Sequence, residues 1–184
     1  MTGFSWPELI ARADAAGAAV TGTTATTLLH PSSKALIPAN LLRVGHRFRM
    51  RASGIISNIV TTPGTLTLDV RLAGVVAFNG GAVQLNAVAK TNVTWVLDLD
   101  LAVLSIGSGT DATIRGSGTW VSESMVGSPL PSVGGAGVAM LPATSPGAGT
   151  GFDSSAAVSV DLFAKFSLSG NSIQALDYEL ISLN

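Results

Sequence analysis

The sequence predicts an all-β protein, an antiparallel jelly-roll-like sandwich with an extended N-terminal arm, and three observations predict it. From Leu28 onward apolar and polar residues alternate with a period of two, as in strands with one buried face. Turn signals rich in glycine separate the alternating runs at short spacing. No helical periodicity falls between the runs, which excludes the strand-helix alternation of a parallel sheet.

Residues 1–27 read as the arm, with a short helical foot. Ser5 is placed to cap it, Pro7 falls near its first turn, the stretch from Trp6 to Ala13 supplies helix formers, and Gly17 stops it. Residues 17–27 are small or polar without a core period, so the arm is expected to be extended and suited to docking on a neighbour.

The remaining 28–184 is expected to form the jelly-roll domain. Phe48, Met50 and Ala52 alternate with Arg47, Arg49 and Arg51, and Leu66, Leu68, Val70 and Leu72 alternate with Thr65, Thr67, Asp69 and Arg71. Trp95, Leu97, Leu99, Leu101 and Val103 share a face opposite Thr94, Asp98 and Asp100. Val158, Val160, Leu162, Ala164, Phe166 and Leu168 form another such row. Near the end Leu176, Tyr178 and Leu180 oppose Asp177 and Glu179, but Ser182 then falls on the apolar side, which predicts a bulge or a frayed end. Weaker strands over 28–36, 75–88, 111–124 and 137–141 bring the pattern count to about nine. Pro63-Gly64, Asn79-Gly80-Gly81, Gly107-Ser108-Gly109 and Ser169-Gly170-Asn171 supply the turns.

One segment departs from the rhythm. From Ser124 to Phe152 there is no charged residue, prolines stand at 129, 131, 142 and 146, and glycine is dense. It reads mostly as a long loop whose neutrality favours contact with protein over solvent.

Composition bounds the function. The chain has 184 residues, room for one domain with its own core, and no cysteine, so disulfides, thiolate metal sites and cysteine nucleophiles are excluded. Ten basic and eleven acidic residues give a net charge of -1, which supplies no overall field for nucleic acid or an anionic membrane. Only 11% of residues are charged, against a norm of about a quarter. No stretch approaches the ~20 apolar residues of a spanning helix, so no membrane partner is expected. The N-terminus lacks the basic start and apolar run of a secretory signal. A surface this poor in charge suits an assembly, where neutral area faces neighbouring subunits.

The search for chemistry is short. His30 and His46 stand apart without acids in metal-ligand spacing, and no nucleophile elbow or phosphate-binding loop occurs. Asp98 and Asp100 share a strand face and admit a paired-carboxylate reading, but alternation alone explains them. No catalytic residue, metal ligand or cofactor is expected. Charge is nonetheless segregated: between Asp14 and Asp69 there is no acid, while Lys34, Arg43, Arg47, Arg49 and Arg51 fall there. The first reading of this basic ridge is cross-strand pairing with Asp69, Asp98, Asp100 or Asp161; the second is docking on an acidic neighbour; nucleic acid is the weaker reading and is not expected as a partner, for want of a basic total and exposed aromatics.

The run Ile37-Pro38-Ala39-Asn40-Leu41-Leu42-Arg43-Val44-Gly45-His46-Arg47-Phe48-Arg49-Met50-Arg51-Ala52-Ser53-Gly54 resembles small structural proteins of tailed phages, often those of high-GC Gram-positive hosts. Thr62-Pro63-Gly64-Thr65-Leu66-Thr67-Leu68, Arg71-Leu72-Ala73-Gly74, Asn92-Val93-Thr94-Trp95 and Gly118-Thr119-Trp120-Val121-Ser122-Glu123 extend the resemblance over about 28–184. It implies a virion protein without catalysis, made in the host cytoplasm. The resulting expectation is a capsid decoration subunit on the outer face of the assembled head, its partners the major capsid protein and itself, as a homotrimer. Trp6, Leu9, Arg43, Arg47, Arg49, Arg51 and Trp120 are its candidate contact residues. The alternative is a head-fibre or tail-tip module that binds host glycan, for which Trp6 and Trp120 remain available while Trp95 and Tyr178 lie on apolar faces.

Overall fold

The computed structural model describes residues 7–126 and 137–183. Eleven strands form among them: β1 (Glu8–Arg12), β2 (Thr26–Thr27), β3 (Ala35–Ile37), β4 (Arg47–Asn58), β5 (Thr65–Leu72), β6 (Val75–Gln84), β7 (Lys90–Ser105), β8 (Thr113–Ser122), β9 (Val138–Leu141), β10 (Val158–Phe166) and β11 (Ser172–Ser182). A single 3-10 turn, Pro31–Ser33, is the only helical piece of the described chain. Relative to the pattern count, the structure adds β1 and puts β2 and β3 on either side of that turn in place of one strand over 28–36.

Every pairing is antiparallel. One sheet has the order β1-β11-β4-β7-β8-β9 and the other β2-β10-β5-β6, with β3 also on β10. The β5–β6 hairpin is nested between β4 and β7, and β10 and β11 return to flank β5 and β4 on the two sheets. This nesting is the jelly-roll order, with β8 and β9 added to one sheet, and it bears out the expected all-β antiparallel sandwich.

The period-two rows meet in one core. Met50, Trp95, Leu97 and Leu99 of the first sheet and Leu66, Val70, Leu162 and Phe166 of the second are all buried. Each such side chain contributes about 1.5–3 kcal/mol by leaving water. Trp95 is fully buried, and its indole N–H is shared between the carbonyls of Ile55 and Gln174, both at 3.2 Å. Leu168, read onto the apolar row of β10, lies beyond that strand and is exposed.

The helical foot is corrected. Glu8–Arg12 is a strand at the sheet edge, paired with β11 through a bulge between Leu9 and Ala11. A helix of so few residues cannot offset its nucleation, whereas pairing with β11 satisfies the main chain directly. Ser5 lies outside the described residues. Residues 13–27 are extended, as expected, but they follow β11 of their own subunit: the N–H groups of Ala13, Gly17 and Val20 donate to the carbonyls of Tyr178, Ala175 and Ile173 at 2.7, 2.9 and 2.8 Å. Gly17 is therefore a point of close approach and not a helix stop; a Cβ there would sit 1.7 Å from the carbonyl oxygen of Leu28.

The irregularity in the last strand also moves. The bulge falls between Ala175 and Asp177, which turns Leu176 outward, and alternation then runs on to a buried Ser182. Of the neutral segment, the described part is strand β9 followed by a strap along its own subunit. Ala143 N–H donates to Gly80 O at 2.7 Å, Thr150 N–H to Val76 O at 3.2 Å, and Gly149 N–H to Ile114 O at 2.9 Å. The strap thus joins the β6 edge of one sheet to β8 of the other, where the expectation was a loop reaching to neighbours. Residues 127–136 of that segment lie outside the described residues.

Candidate functional site

The basic ridge lies on the outer face of the six-stranded sheet, where β4 runs between β11 and β7. Alternation turns Phe48 and Met50 inward, so Arg47, Arg49 and Arg51 stand outward together. Register places Arg51 beside Asp98 and Arg49 beside Asp100, and the side chains then bond diagonally. Arg49 grips Asp98 with both arms, Nε to Oδ1 at 2.8 Å and Nη2 to Oδ2 at 2.5 Å, and Arg51 Nε adds a bond to Oδ2 at 3.2 Å. Arg51 also approaches Glu179 of β11 at 3.7 Å. Hydrogen bonds from Arg49 and then Arg51, with their positive charge, hold the Asp98 carboxyl below the usual carboxylate range against the opposing effect of burial. The first reading of the ridge, cross-strand pairing, describes Arg49 and Arg51. It also describes Lys34, whose amine lies 2.6 Å from Asp161 on the other sheet. Asp98 is saturated by guanidinium, so it and Asp100 do not act as an equivalent carboxylate pair.

The other candidate residues separate. Arg43 turns back onto its own loop, Nη1 donating to the carbonyls of Asn40 at 2.6 Å and Leu42 at 3.0 Å. His46 stacks on Phe48 with ring centroids 4.3 Å apart, and its Nε2 is 2.9 Å from Ser182 Oγ. Burial, then the charge of Arg43, pushes the His46 pKa down. Leu9 is exposed on β1, and Trp6 lies outside the described residues. Trp120 is fully buried against Leu97 and Ala139 in neighbouring strands, so its ring has no surface to offer a partner. The reason is strand parity: Ile114 faces the core, and Trp120 lies six residues further on the same side.

A residue outside the predicted ridge completes the face. Arg115 of β8 is level with Ala102 of β7, which in turn is level with Arg47 of β4. The row reads Arg47, Ala102, Arg115, and it floors an open depression of about 710 Å³ bordered by Val44, Leu104 and Pro146. Arg47 lies 4.0 Å from Asp100. The Arg115 guanidinium has no hydrogen-bond or ion-pair partner among the described residues. Beyond the closed charges, Val96, Val121 and Val138 form an exposed cross-strand row over β7, β8 and β9, with Met140 beside it.

The five-stranded sheet has a different groove, of about 430 Å³, between its outer face and the strap. Thr67, Asn79, Thr144, Ser145 and Lys165 line it with hydroxyl, amide and amine groups. Behind it Asp69 is buried, which raises its carboxyl pKa against the pull of Arg71 and Lys165, and Arg71 lies 4.1 Å over the Phe163 ring.

No family model matches the chain, and no curated protein matches it. Among solved structures it is similar to the CBM2 module of the evolved Dit of Lactobacillus casei BL23 phage J-1, at 9% identity and a TM-score of 0.34, covering 98% of this chain and 97% of that one. A likeness at that level speaks to neither ligand nor location.

Proposed function

We propose that the chain is a structural subunit of a tailed-phage virion that decorates the outer face of the assembled capsid. The observation that carries this reading is the outer face of the six-stranded sheet. Its strongest charges cancel one another within the subunit, and it exposes the Val96, Val121, Val138 and Met140 row, a surface better matched to protein than to water. The resemblance of residues 28–184 to phage structural proteins and the scarcity of charge support the same reading.

The mechanism is mass action. A subunit that binds only the assembled shell stabilises that state by about 2.7 kcal/mol when its free concentration is a hundred times Kd, and many copies spread the reinforcement over the shell. A homotrimer about local three-fold axes belongs to this proposal, since closed symmetry repeats one contact without open-ended growth. Purified protein is expected to bind saturably to particles lacking it and to raise their rupture temperature. Binding to tails or host cells alone would remove the capsid from the proposal.

The polar groove of the five-stranded sheet supports a second reading, a glycan-binding head-fibre or tail-tip module. Its hydroxyl and amide lining suits sugar hydroxyls, but Trp95 and Trp120 are buried and unavailable for stacking. Retention on host cell-wall glycan, lost in Asn79→Ala, would favour it over decoration.

A further inference from the structure

We propose that β9, the outer strand of the six-stranded sheet, pairs antiparallel with β9 of a second copy of this chain about a two-fold axis, so that one sheet runs through both subunits. This goes beyond the decoration reading and does not rest on it.

The other sheet edges are protected. At the far side of the same sheet β1 carries a bulge between Leu9 and Ala11 and has Glu8 and Arg12 at its ends, and β2 on the second sheet is only Thr26–Thr27. The strap covers the β6 edge at Val76 and Gly80, and it covers β8 at Ile114, beyond the reach of β9. Bulges, charges, very short strands and covering segments keep a sheet edge from pairing with other chains. Within β9 there is no charge, proline or bulge: Val138-Ala139-Met140-Leu141 pairs with β8 in unbroken register. Gly137 O accepts from the Ser122 N–H at 2.8 Å, and Ala139 and Leu141 stand level with Trp120 and Gly118, so the main chain of these residues bonds β8. Val138 and Met140 therefore turn their N–H and C=O groups to the outer edge, where no other described strand pairs with them.

A second copy is the partner that this edge fits. In an antiparallel pairing about a two-fold axis, Val138 of each copy lies opposite Met140 of the other, and both pairs exchange their N–H and C=O groups. Ala139 then meets itself at the axis in the closer, non-bonded pair, where a methyl group leaves room. On the outer face the pairing joins the row Val96, Val121 and Val138 to Met140 of the second copy. It also covers part of the Val138 and Met140 side chains, 44% and 65% exposed in the single subunit. Charge makes the choice of partner. No charged residue falls from Ser124 to Phe152, so a charged strand would bury its charges here without a counter-charge, whereas a second copy brings none.

Sedimentation equilibrium on the full chain is expected to show a reversible twofold step in mass as concentration rises. Met140→Pro removes an outward N–H and no bond to β8, while Met140→Lys keeps the main chain and adds a charge. Each is expected to weaken the step by at least about tenfold while melting near the parental temperature. A mass that stays constant up to about 1 mM overturns the proposal. So does a step of unchanged strength in Met140→Lys, which keeps the test decisive if Met140→Pro does not fold. Because the chain has no cysteine, oxidation of a mixture of Val138→Cys and Met140→Cys proteins reports the register. The mixed disulfide is expected well in excess of either homodimer, since opposed residues lie ~5.5 Å apart and like residues lie beyond disulfide reach. Homodimers in equal or greater yield overturn the two-fold antiparallel pairing.

Discussion

Along β4 the guanidiniums of Arg49 and Arg51 close on Asp98 and Arg47 lies 4.0 Å from Asp100, while on the same face, across Ala102, the guanidinium of Arg115 has no partner among the described residues. The arginines alternate identically in sequence, and their own strand treats them alike. The difference comes from the neighbouring strand, where register sets an acid beside one pair and a methyl group beside the other. Charge patterning within a strand therefore says which face a cation occupies, and the partner strand says whether it is neutralised.

The largest test strikes the strand that both halves share. Trp95→Ala removes a buried ring from β7 and leaves the carbonyls of Ile55 and Gln174 without their indole donor. It is expected to lower unfolding free energy by about 3–5 kcal/mol in urea titration. Because β7 carries both Asp98 and Ala102, the strand structure followed by circular dichroism and the salt sensitivity of stability should be lost together at the same denaturant concentration. Survival of one without the other would show that the two halves do not share a cooperative scaffold.

Removing the acid of the closed half is a smaller perturbation. Asp98→Asn strips the forked bond from Arg49 and the further bond from Arg51. The network is partly exposed, so solvent screening limits the expected loss to about 1 kcal/mol. Its pH dependence has a definite sign. The folded pKa of Asp98 is depressed, so the contribution is present above the unfolded value of about 3.9 and is lost as pH falls through the folded value. The difference between parent and Asp98→Asn should be flat from pH 5 to 8 and shrink below about pH 4. A difference that grows on acidification would contradict the pairing.

The same dependence on neighbours explains what could be read from sequence. β4, β5, β7 and β10 were legible because long strands with one dry face repeat their parity many times. Trp95 and Tyr178 were placed on the core side on that ground, and both are buried. β1 was not legible: five residues with a bulge show no period, and their structure comes from β11, far along the chain. Trp120 was missed because glycines interrupt the core row of β8. A Cβ on Gly116 would lie 2.5 Å from the Phe78 ring, so the missing side chain makes room for a residue of the other sheet and erases the apolar signal. The place of Arg115 on this face is not legible because its level with Ala102 depends on the β7–β8 pairing, which itself shifts register between Val103 and Ser105.

The smallest effect is the sharpest test of the comparison. Ala102→Glu places an acid level with Arg115 and so gives that guanidinium the cross-strand neighbour that Arg49 and Arg51 already have. A new cross-strand pair with Arg115 on a solvated face should raise unfolding free energy by about 0.2–1 kcal/mol, with the gain reduced by salt. Destabilisation by Ala102→Glu would mean that the Arg115 guanidinium does not reach the middle of the row, and the distinction between the arginines would lose its physical basis.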